Sequence, residues 1–308
     1  MTTIIPTSTS EHIGTRLKEL GASVIFPDKN KDNKNVFPDG EIYTRISNIK
    51  KLSGKRAVVL HSGMPDPNKG LIELFSVLRT LNAPIESKEL SEKKFEHKKI
   101  EPPAQIEVFF LYFPYGMQDK IFQTGEANMA QHIFDILVNY YNVKRIYAVD
   151  LHCTGADWLA DYPVVSISAE AEILSAMKKD GLTDIVQVAP DLGSQMRLGI
   201  TGFDKKRKNS FEVDMQASAK IDVAGKVAVV WDDLIETGGT MARAKDKLLE
   251  MGAKKVFAAA THGVMPEGVE RIKKEYKTLY LSNTVASPHS NVDVSGVVLE
   301  AVKEGENV

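Results

Sequence analysis

Short runs of apolar residues recur along this chain, separated by longer stretches in which apolar positions repeat with the period of an α-helix. The short runs are almost wholly apolar rather than alternating, which is typical of strands covered by helices on both faces. This pattern predicts strands at Arg56–Leu60, Val108–Tyr112, Arg145–Val149, Ile185–Val188, Lys226–Trp231, Val256–Ala260 and Leu279–Leu281.

Helical periodicity fills much of the chain between these strands. The stretches Leu71–Leu81, Glu126–Tyr140 and Met241–Met251 each place apolar residues on one face of a helix. In the second stretch that face consists of Met129, Ile133, Ile136, Leu137 and Tyr140. Strands that alternate with helices predict an α/β fold with mostly parallel sheets, in which ligands bind at the carboxyl ends of the strands.

The chain is long enough, at 308 residues, for two domains of ordinary size. A break in the pattern near Trp158–Pro163 predicts an N-terminal domain over residues 1–160 and a C-terminal domain over residues 161–308. The segments Asp150–Gly155 and Asp233–Gly238 share the pattern Asp-Leu-x-x-Thr-Gly, each after an apolar run. Two related α/β halves would produce this similarity, although six positions are too few to prove a duplication.

Composition narrows the class of protein. The formal net charge of −2 gives no reason to expect nucleic acid or an anionic membrane as a partner. Cys153 is the only cysteine, so an intramolecular disulfide is impossible and a reducing compartment is expected. No apolar run approaches the roughly 20 residues needed to span a bilayer, and the first residues lack a secretory signal. We therefore expect a soluble, cytoplasmic protein.

The segment Lys226–Thr240, KVAVVWDDLIETGGT, combines two kinds of chemistry. Its paired acids, Asp232 and Asp233, accept hydrogen bonds when ionised and suit the vicinal hydroxyls of a sugar. The turn that follows offers backbone N–H groups, threonine hydroxyls and the start of a helix, all of which favour a phosphate. The residues of this turn are Glu236, Thr237, Gly238, Gly239 and Thr240.

An alternative explanation of the same residues is a tight strand-to-helix turn with Thr240 as its cap. The preceding strand and the paired acids favour the phosphate site. The segment resembles the 5-phosphoribosyl-binding loop shared by type I phosphoribosyltransferases and ribose-phosphate pyrophosphokinases, and this motif alone does not separate the two families. Glu236 stands where an aspartate is more usual, which we expect to shift sugar binding rather than abolish it.

The segment Phe37-Pro-Asp-Gly-Glu41 resembles a Phe-x-Asp-Gly-Glu element of the pyrophosphokinases. In that family the element reaches into a neighbouring subunit and contacts the adenine of ATP. The resemblance thus implies ATP contacts from Phe37, Asp39 and Glu41, and a homo-oligomer, either a dimer or a hexamer. Local chemistry alone predicts a Pro-Asp-Gly turn leading into a strand over Glu41–Ile46.

The segment Tyr115–Lys120 resembles the Tyr-x-Arg-Gln-Asp element of the same family, which also lies on ATP. Gln118 and Asp119 match, whereas Met117 stands in place of the arginine. A methionine offers apolar contact but no charged fork, so the choice of nucleotide donor stays open. Lys120 is a candidate for the missing charge.

Two further elements imply a cation site. His152 lies in an Asp-Leu-His element that in the family contacts a divalent cation and the ATP phosphates, and Asp191 lies in a Pro-Asp-x-Gly element that helps hold the cation. The resemblance implies Mg²⁺, which binds few carboxylates together with phosphates and waters. A hydrogen-bonded structural role is the alternative for His152, and the residues after it depart from the family loop.

The basic segment Asp204–Lys208 resembles the flexible catalytic loop of the pyrophosphokinases, which implies that Lys205 and Arg207 clamp the transferring phosphates. Cations at this position stabilise charge that spreads over the phosphoryl oxygens. A solvated basic turn is the alternative explanation for an isolated KKRK sequence.

The resemblance extends from Val36 to Asn283 and implies two phosphoribosyltransferase-like domains. The implied reaction moves the β,γ-diphosphate of Mg-ATP to the C1 hydroxyl of ribose 5-phosphate and releases AMP. Two alternatives stay open. One is a type I phosphoribosyltransferase, and the other is a catalytically weakened homologue that binds nucleotides and regulates a partner.

Overall fold

The computed structural model describes residues 2–207, 213–217 and 221–306, with the backbone alone for 204–207 and 213–217. The chain forms two compact units, one of Met1–Ile167 with Ser295–Val308 and the other of Ser168–Val294. The predicted domains instead divide the chain between residues 160 and 161 and place its last segment in the second domain. Within the described residues, no helix has the length and apolar composition needed to cross a membrane.

The first unit is built on a five-stranded parallel sheet with the strand order β1-β2-β5-β6-β7. An antiparallel hairpin of β3 and β4 stands apart from it. The strands are β1 (Thr2–Pro6), β2 (Arg56–Ser62), β3 (Ile85–Ser91), β4 (Lys94–Lys99), β5 (Gln105–Tyr112), β6 (Ile146–Val149) and β7 (Val164–Ile167). The helices that follow in chain order are α1 (Glu11–Glu19), α2 (Pro67–Asn82) and α3 (Met129–Asp135).

Helix α2 shows why the sequence folds as it does in this unit. Asp66 caps its start by accepting a hydrogen bond from the Lys69 N–H, and Pro67 supplies the fixed φ of a first helical residue. One face then packs into the core of the unit, which confirms the helix predicted over Leu71–Leu81. The residues of this face are Leu71, Leu74, Leu78 and Leu81.

Helix α3 departs from the prediction at its end. It begins at Met129 and is capped by Asn128, whose side chain accepts a hydrogen bond from the Gln131 N–H. It then passes into a π-helical turn at Ile136–Tyr140. The wider turn shifts the buried face by one position, so that Tyr140 is 71% exposed whereas Tyr141 is 9% exposed. The predicted burial of Tyr140 is therefore wrong.

The second unit has a four-stranded parallel sheet with the order β13-β12-β11-β8 and a separate antiparallel pair, β9 and β10. Its helices are α4 (Glu170–Lys179), α5 (Leu192–Leu198), α6 (Gly239–Glu250) and α7 (Pro266–Tyr276). Its strands are β8 (Ile185–Val188), β9 (Phe203–Arg207), β10 (Val213–Ala217), β11 (Val227–Ile235), β12 (Lys255–Gly263) and β13 (Leu279–Leu281).

The last helix, α8 (Ser295–Glu304), belongs to the first unit. Arg56 at the start of β2 links this helix to the sheet. Its Nη1 donates to the Val302 carbonyl at 2.7 Å, and the same guanidinium forms an ion pair with Glu107 of β5. The side chains of this ion pair are 10% and 0% exposed. A buried pair of this kind is held by its hydrogen bonds, and removing one partner leaves a buried charge.

All seven predicted strands in the apolar runs are confirmed: Ile185–Val188 and Leu279–Leu281 have the predicted ends, and the other five have shifted ends. The strand predicted over Glu41–Ile46 is wrong, because that segment forms only an isolated bridge, Val36 with Ile42. Its turn is confirmed: the Phe37 N–H donates to the Glu41 carbonyl at 2.8 Å, and Gly40 has a φ of +95°. The basic segment predicted as a loop enters strand β9 instead, where Lys205 pairs with Met215 and Arg207 with Val213.

Candidate active site

The acidic pair lies inside strand β11 rather than after it. The ladder with β12 continues past Asp232 to Ile235, because it depends on backbone hydrogen bonds and not on the apolar run that ends at Trp231. Asp232 and Asp233 are nevertheless buried, with residue exposures of 9% and 1%. Two adjacent buried carboxyls need polar partners, since an unpaired buried charge is costly.

Helix α5 supplies those partners. Its cap, Asp191, accepts from the Ser194 N–H at 3.0 Å and contacts the Ser194 hydroxyl at 3.1 Å. The same hydroxyl donates to Asp232 Oδ1 at 2.6 Å, and Arg197 Nη2 donates to Asp233 Oδ1 at 2.9 Å. The predicted cation ligand and the predicted sugar ligands are thus joined by one short helix.

Burial raises the pKa of the Asp232 carboxyl well above its ordinary value, and the adjacent Asp233 raises it further. The hydrogen bond from Ser194 acts in the opposite direction. Two adjacent carboxyls offer several acceptor oxygens to a ligand. Such a pair can hold two neighbouring hydroxyl groups.

The turn after β11 exposes backbone N–H groups at the start of α6. Gly238 precedes the helix with a φ of +69°, and no side chain caps the helix there among the described residues. Thr240 lies within the first helical turn, so the alternative in which it caps the helix does not hold. The first N–H groups of a helix have no partners within the helix and bind anions readily.

Helix α7 packs closely against this turn. A Cβ on Gly268 would lie 1.6 Å from the Glu236 carbonyl oxygen, so only glycine permits such a close approach. A Cβ on Gly239 would lie 3.5 Å from Arg271 Nη1 and 3.7 Å from Arg243 Nη1. Two guanidinium groups therefore stand beside the turn, where they add positive charge for a phosphate.

The residues predicted to contact ATP lie in the first unit. Phe37, Asp39 and Glu41 occupy the tight reversal, where Asp39 Oδ1 accepts from the Glu41 N–H at 3.0 Å. Phe37 is 42% exposed, and its ring packs edge-on against Tyr43 at 5.5 Å between centroids. All three side chains are accessible to a ligand or to another molecule.

The segment after β5 packs against His152. A Cβ on Gly116 would lie 3.3 Å from His152 Cβ, so the turn at the end of β5 and the turn after β6 are in contact. Gln118 is fixed through its backbone, which donates to the Tyr115 carbonyl and accepts from the Ala130 N–H. The structure thereby brings together the predicted ATP segment and the predicted histidine of the first unit.

The Asp119 carbonyl accepts from Trp158 Nε1 at 3.0 Å, which fixes the same segment from a second side. Met117 is 41% exposed beside it, in the position where the resemblance implies an arginine.

His152 and Asp191 are the predicted cation ligands among the described residues. The described residues contain no group of three or more His, Cys, Asp or Glu side chains arranged to hold a metal ion. Asp191 offers a carboxylate, a hard ligand of the kind that Mg²⁺ prefers. Mg²⁺ commonly binds through one or two carboxylates together with substrate phosphates and waters. The Asp191 carboxylate therefore fits a Mg²⁺ ion that arrives bound to the phosphates of a substrate.

The predicted catalytic cations Lys205 and Arg207 lie on β9, in the part of that strand where only the backbone is described. The residues from Lys208 to Ser210 that follow them lie outside the described residues.

Sequence reasoning missed four residues of this site. Arg243 and Arg271 show no motif, and only the structure places them beside the turn. The sequence did contain an indication of Ser194 and Arg197. Asp191-Leu-Gly-Ser194 is a helix-capping pattern, and it predicts that the polar side chains that follow lie near the cap.

The chain is similar to known proteins in one domain, in its sequence as a whole and in its fold. Residues 178–295 match the family model described as phosphoribosyl transferase domain. The ribose-phosphate pyrophosphokinase of Pyrococcus furiosus is 33% identical over 95% of this chain and 97% of its own length. The ribose-phosphate pyrophosphokinase of Thermococcus kodakarensis is 30% identical over 93% of this chain and 95% of its own length.

A solved structure shows the same fold. The crystal structure of phosphoribosylpyrophosphate synthetase from Mycobacterium smegmatis aligns with a TM-score of 0.75 over 100% of this chain and 99% of that chain, at 23% identity. The fold predicted as two phosphoribosyltransferase-like α/β domains is thereby confirmed. By the extent and identity of its relatives, the chain belongs to the ribose-phosphate pyrophosphokinase family.

Proposed function

We propose that this chain is a ribose-phosphate diphosphokinase. It transfers the β,γ-diphosphate of Mg-ATP to the C1 hydroxyl of ribose 5-phosphate, giving 5-phosphoribosyl 1-diphosphate and AMP. The observation that carries the proposal is the buried pair Asp232 and Asp233 on the strand that leads into the glycine turn at the start of α6. A diol site followed by a phosphate site suits a sugar phosphate.

The sugar phosphate is held at both ends in this proposal. Asp232 and Asp233 take the vicinal ring hydroxyls, and the turn Glu236–Thr240 takes the 5-phosphate on its N–H groups. The close approach of α7 at Gly268 supports this arrangement. A turn that is already fixed by packing against a helix needs little reorganisation when the anion binds.

The nucleotide contacts are proposed from the family. Phe37, Asp39 and Glu41 contact ATP across a subunit boundary, so the active form is a homo-oligomer. A single subunit supplies the other nucleotide contacts, which are Gln118, Asp119 and His152. The packing of Gly116 on His152 supports their position at one ATP site.

Transfer of the diphosphate needs positioning and charge stabilisation rather than a covalent enzyme intermediate. In this proposal His152 and Asp191 would hold Mg²⁺, which would neutralise charge at the phosphates. Lys205 and Arg207 stabilise the charge that develops as the C1 oxygen attacks the β-phosphorus and AMP leaves.

Product analysis tests this function. Purified protein is incubated with ribose 5-phosphate, ATP and Mg²⁺, alongside Lys205→Ala and the matched control Lys247→Ala, whose side chain is exposed on α6 beside Glu250. We expect AMP and the diphosphorylated sugar in equal amounts from the wild type and the control. Loss of one phosphate-stabilising cation lowers turnover by roughly 10²- to 10³-fold, so Lys205→Ala should be nearly inactive.

Other outcomes separate the alternatives. Pyrophosphate release that depends on an added base, without AMP, would identify a type I phosphoribosyltransferase. If ATP and other nucleoside triphosphates bind but none is turned over, the regulatory homologue replaces the enzyme, an outcome that Met117 motivates.

A further inference from the structure

Arg197 of helix α5 contacts both acids of β11. Its Nη2 lies 2.9 Å from Asp233 Oδ1 and 3.8 Å from Asp232 Oδ1. The Arg197 side chain is 22% exposed, and that of Asp233 is 2% exposed. A planar guanidinium that donates to a buried carboxylate fixes the orientation of its oxygens, which a point charge does not do as well.

The space around Arg197 is shaped for its guanidinium. A Cβ on Gly193 would lie 2.9 Å from Arg197 Nη1, so the absence of a side chain at that position leaves room for the group. Arg197 Nε is buried and has no hydrogen-bond partner among the described residues. A buried N–H without a partner is unfavourable, so the placement of this side chain does not optimise its own hydrogen bonds.

Ser194 extends the contact to the other acid. Its hydroxyl accepts from Arg197 Nη2 at 3.3 Å and donates to Asp232 Oδ1 at 2.6 Å. Asp232 Oδ1 also accepts from the Asp233 N–H at 3.0 Å. Both bonds use the same oxygen, so they fix the carboxyl without occupying Oδ2.

We propose that Arg197 and Ser194 are positioning residues of the sugar site, which fix the orientation in which Asp232 and Asp233 meet the vicinal hydroxyls of ribose 5-phosphate. Neither residue contacts the sugar; each acts through a carboxyl. The inference rests on the proposed function, because it takes the two acids as the diol site.

A comparison of two sugars isolates this role from a merely structural one. Calorimetry measures the binding of ribose 5-phosphate and of 2-deoxyribose 5-phosphate, without ATP or metal, to the wild type and to Arg197→Met, Arg197→Lys and Ser194→Ala. Arg16→Met is the matched control, because Arg16 lies half-exposed on α1 beside Glu19.

The deoxy sugar lacks one of the two hydroxyls that the acids would bind, so it gains less from their orientation. Arg197→Met should weaken ribose 5-phosphate binding by roughly 10- to 100-fold, as expected for loss of hydrogen bonds to a charged group. Binding of the deoxy sugar should change less than about threefold, since much of that interaction is already missing. Arg197→Lys should recover part of the loss, and Ser194→Ala should lose about 3- to 10-fold.

Kinetics give a second measurement on the same variants. The KM for ribose 5-phosphate should rise while the KM for ATP stays within about twofold of the wild type, since only uniform binding of the sugar is lost. Equal losses for both sugars, or equal changes in both KM values, would overturn the inference. Circular dichroism checks folding, and Arg197→Lys and Ser194→Ala carry the test if Arg197→Met does not fold.

The failure of this inference is distinct from failure of the proposed function. A wild type that binds both sugars equally overturns the assignment of the acids to the hydroxyls, and with it this inference. The product analysis of the wild type judges the proposed reaction separately, whatever the variants do.

Discussion

The buried histidine of strand β2 makes the first unit sensitive to acid. His61 has no solvent exposure, and its Nδ1 lies 2.9 Å from Thr7 Oγ1. Its Nε2 is buried without a hydrogen-bond partner among the described residues, and its ring meets the edge of Phe110 at 5.8 Å. Burial lowers the pKa of His61 from 6.5 to about 3, because the charged imidazolium cannot be solvated there.

The loss of stability follows from this difference between the two states. The unfolded chain takes up a proton on His61 as the pH falls through 6.5, whereas the folded chain does so only near pH 3. The stabilisation is therefore complete above pH 6.5 and is lost progressively below it. pH 5 lies about 1.5 units below the pKa of His61 in the unfolded chain. Protonation of His61 at this pH therefore stabilises the unfolded state by about 2 kcal/mol. Any folded-state pKa below about 4 gives nearly the same figure.

Urea unfolding at pH 7.5 and pH 5 measures this loss for the wild type and for His61→Gln. Glutamine does not titrate but can still form a hydrogen bond with Thr7. The chain has two tryptophans, Trp158 in the first unit and Trp231 in the second, so a Trp231→Phe background leaves a fluorescence signal from the first unit alone. The wild type should lose about 2 kcal/mol more than the variant between the two pH values.

All other titrating groups are common to the two proteins and cancel in this comparison. His97, which is exposed on β4, provides a histidine-to-glutamine control outside the core. If the wild type and His61→Gln lose the same free energy within about 0.5 kcal/mol, the imidazole accepts a proton in the folded state, and the argument from burial is refuted.

Three further substitutions probe other parts of the fold. Arg56→Met should destabilise the first unit by about 3–5 kcal/mol, measured as the shift of its urea transition, because Glu107 is left buried without its partner. Gly268→Ala should force α7 away from the turn, destabilising the second unit by about 1–3 kcal/mol and weakening ribose 5-phosphate binding, whereas Gly296→Ala, with no atom within 4 Å of its new Cβ, should do neither. Asp232→Asn should raise the melting temperature by about 2–4 °C at neutral pH while abolishing sugar binding. Its gain should grow from pH 4 to pH 7, because a raised carboxyl pKa disfavours the folded wild type as the pH rises; an unchanged melting temperature would contradict this.

The sequence predicts seven of the nine strands in the two parallel sheets, because a strand buried on both faces leaves an apolar run. It misses β1 and β7, and β7 is partly exposed. The ends of these strands are less predictable. The run before Asp232 ends at Trp231, yet β11 continues to Ile235, since its neighbour β12 supplies the backbone partners. The apolar pattern carries no information about a backbone partner some 30 residues away.

The site shows the same limit. Asp232, Asp233 and the glycine turn form one continuous segment and are visible as a motif, and the roles of these residues stay predictions. Ser194 and Arg197 lie nearly 40 positions earlier on a helix of one and a half to two turns, too short for a clear periodic pattern. Their contact with the acids depends on how α5 packs on β11, which single-sequence reasoning does not supply.

The path of the chain through its two units affects the order in which they can be completed during synthesis. The second unit, Ser168–Val294, interrupts the first, whose helix α8 is translated only afterwards. All strands of both sheets therefore precede α8 in the chain, but Arg56 of the five-stranded sheet lacks the Val302 carbonyl until α8 has been translated. The first unit is therefore completed after the second, although it begins first, and the surface that α8 later covers is the part of the nascent chain that a chaperone would need to shield.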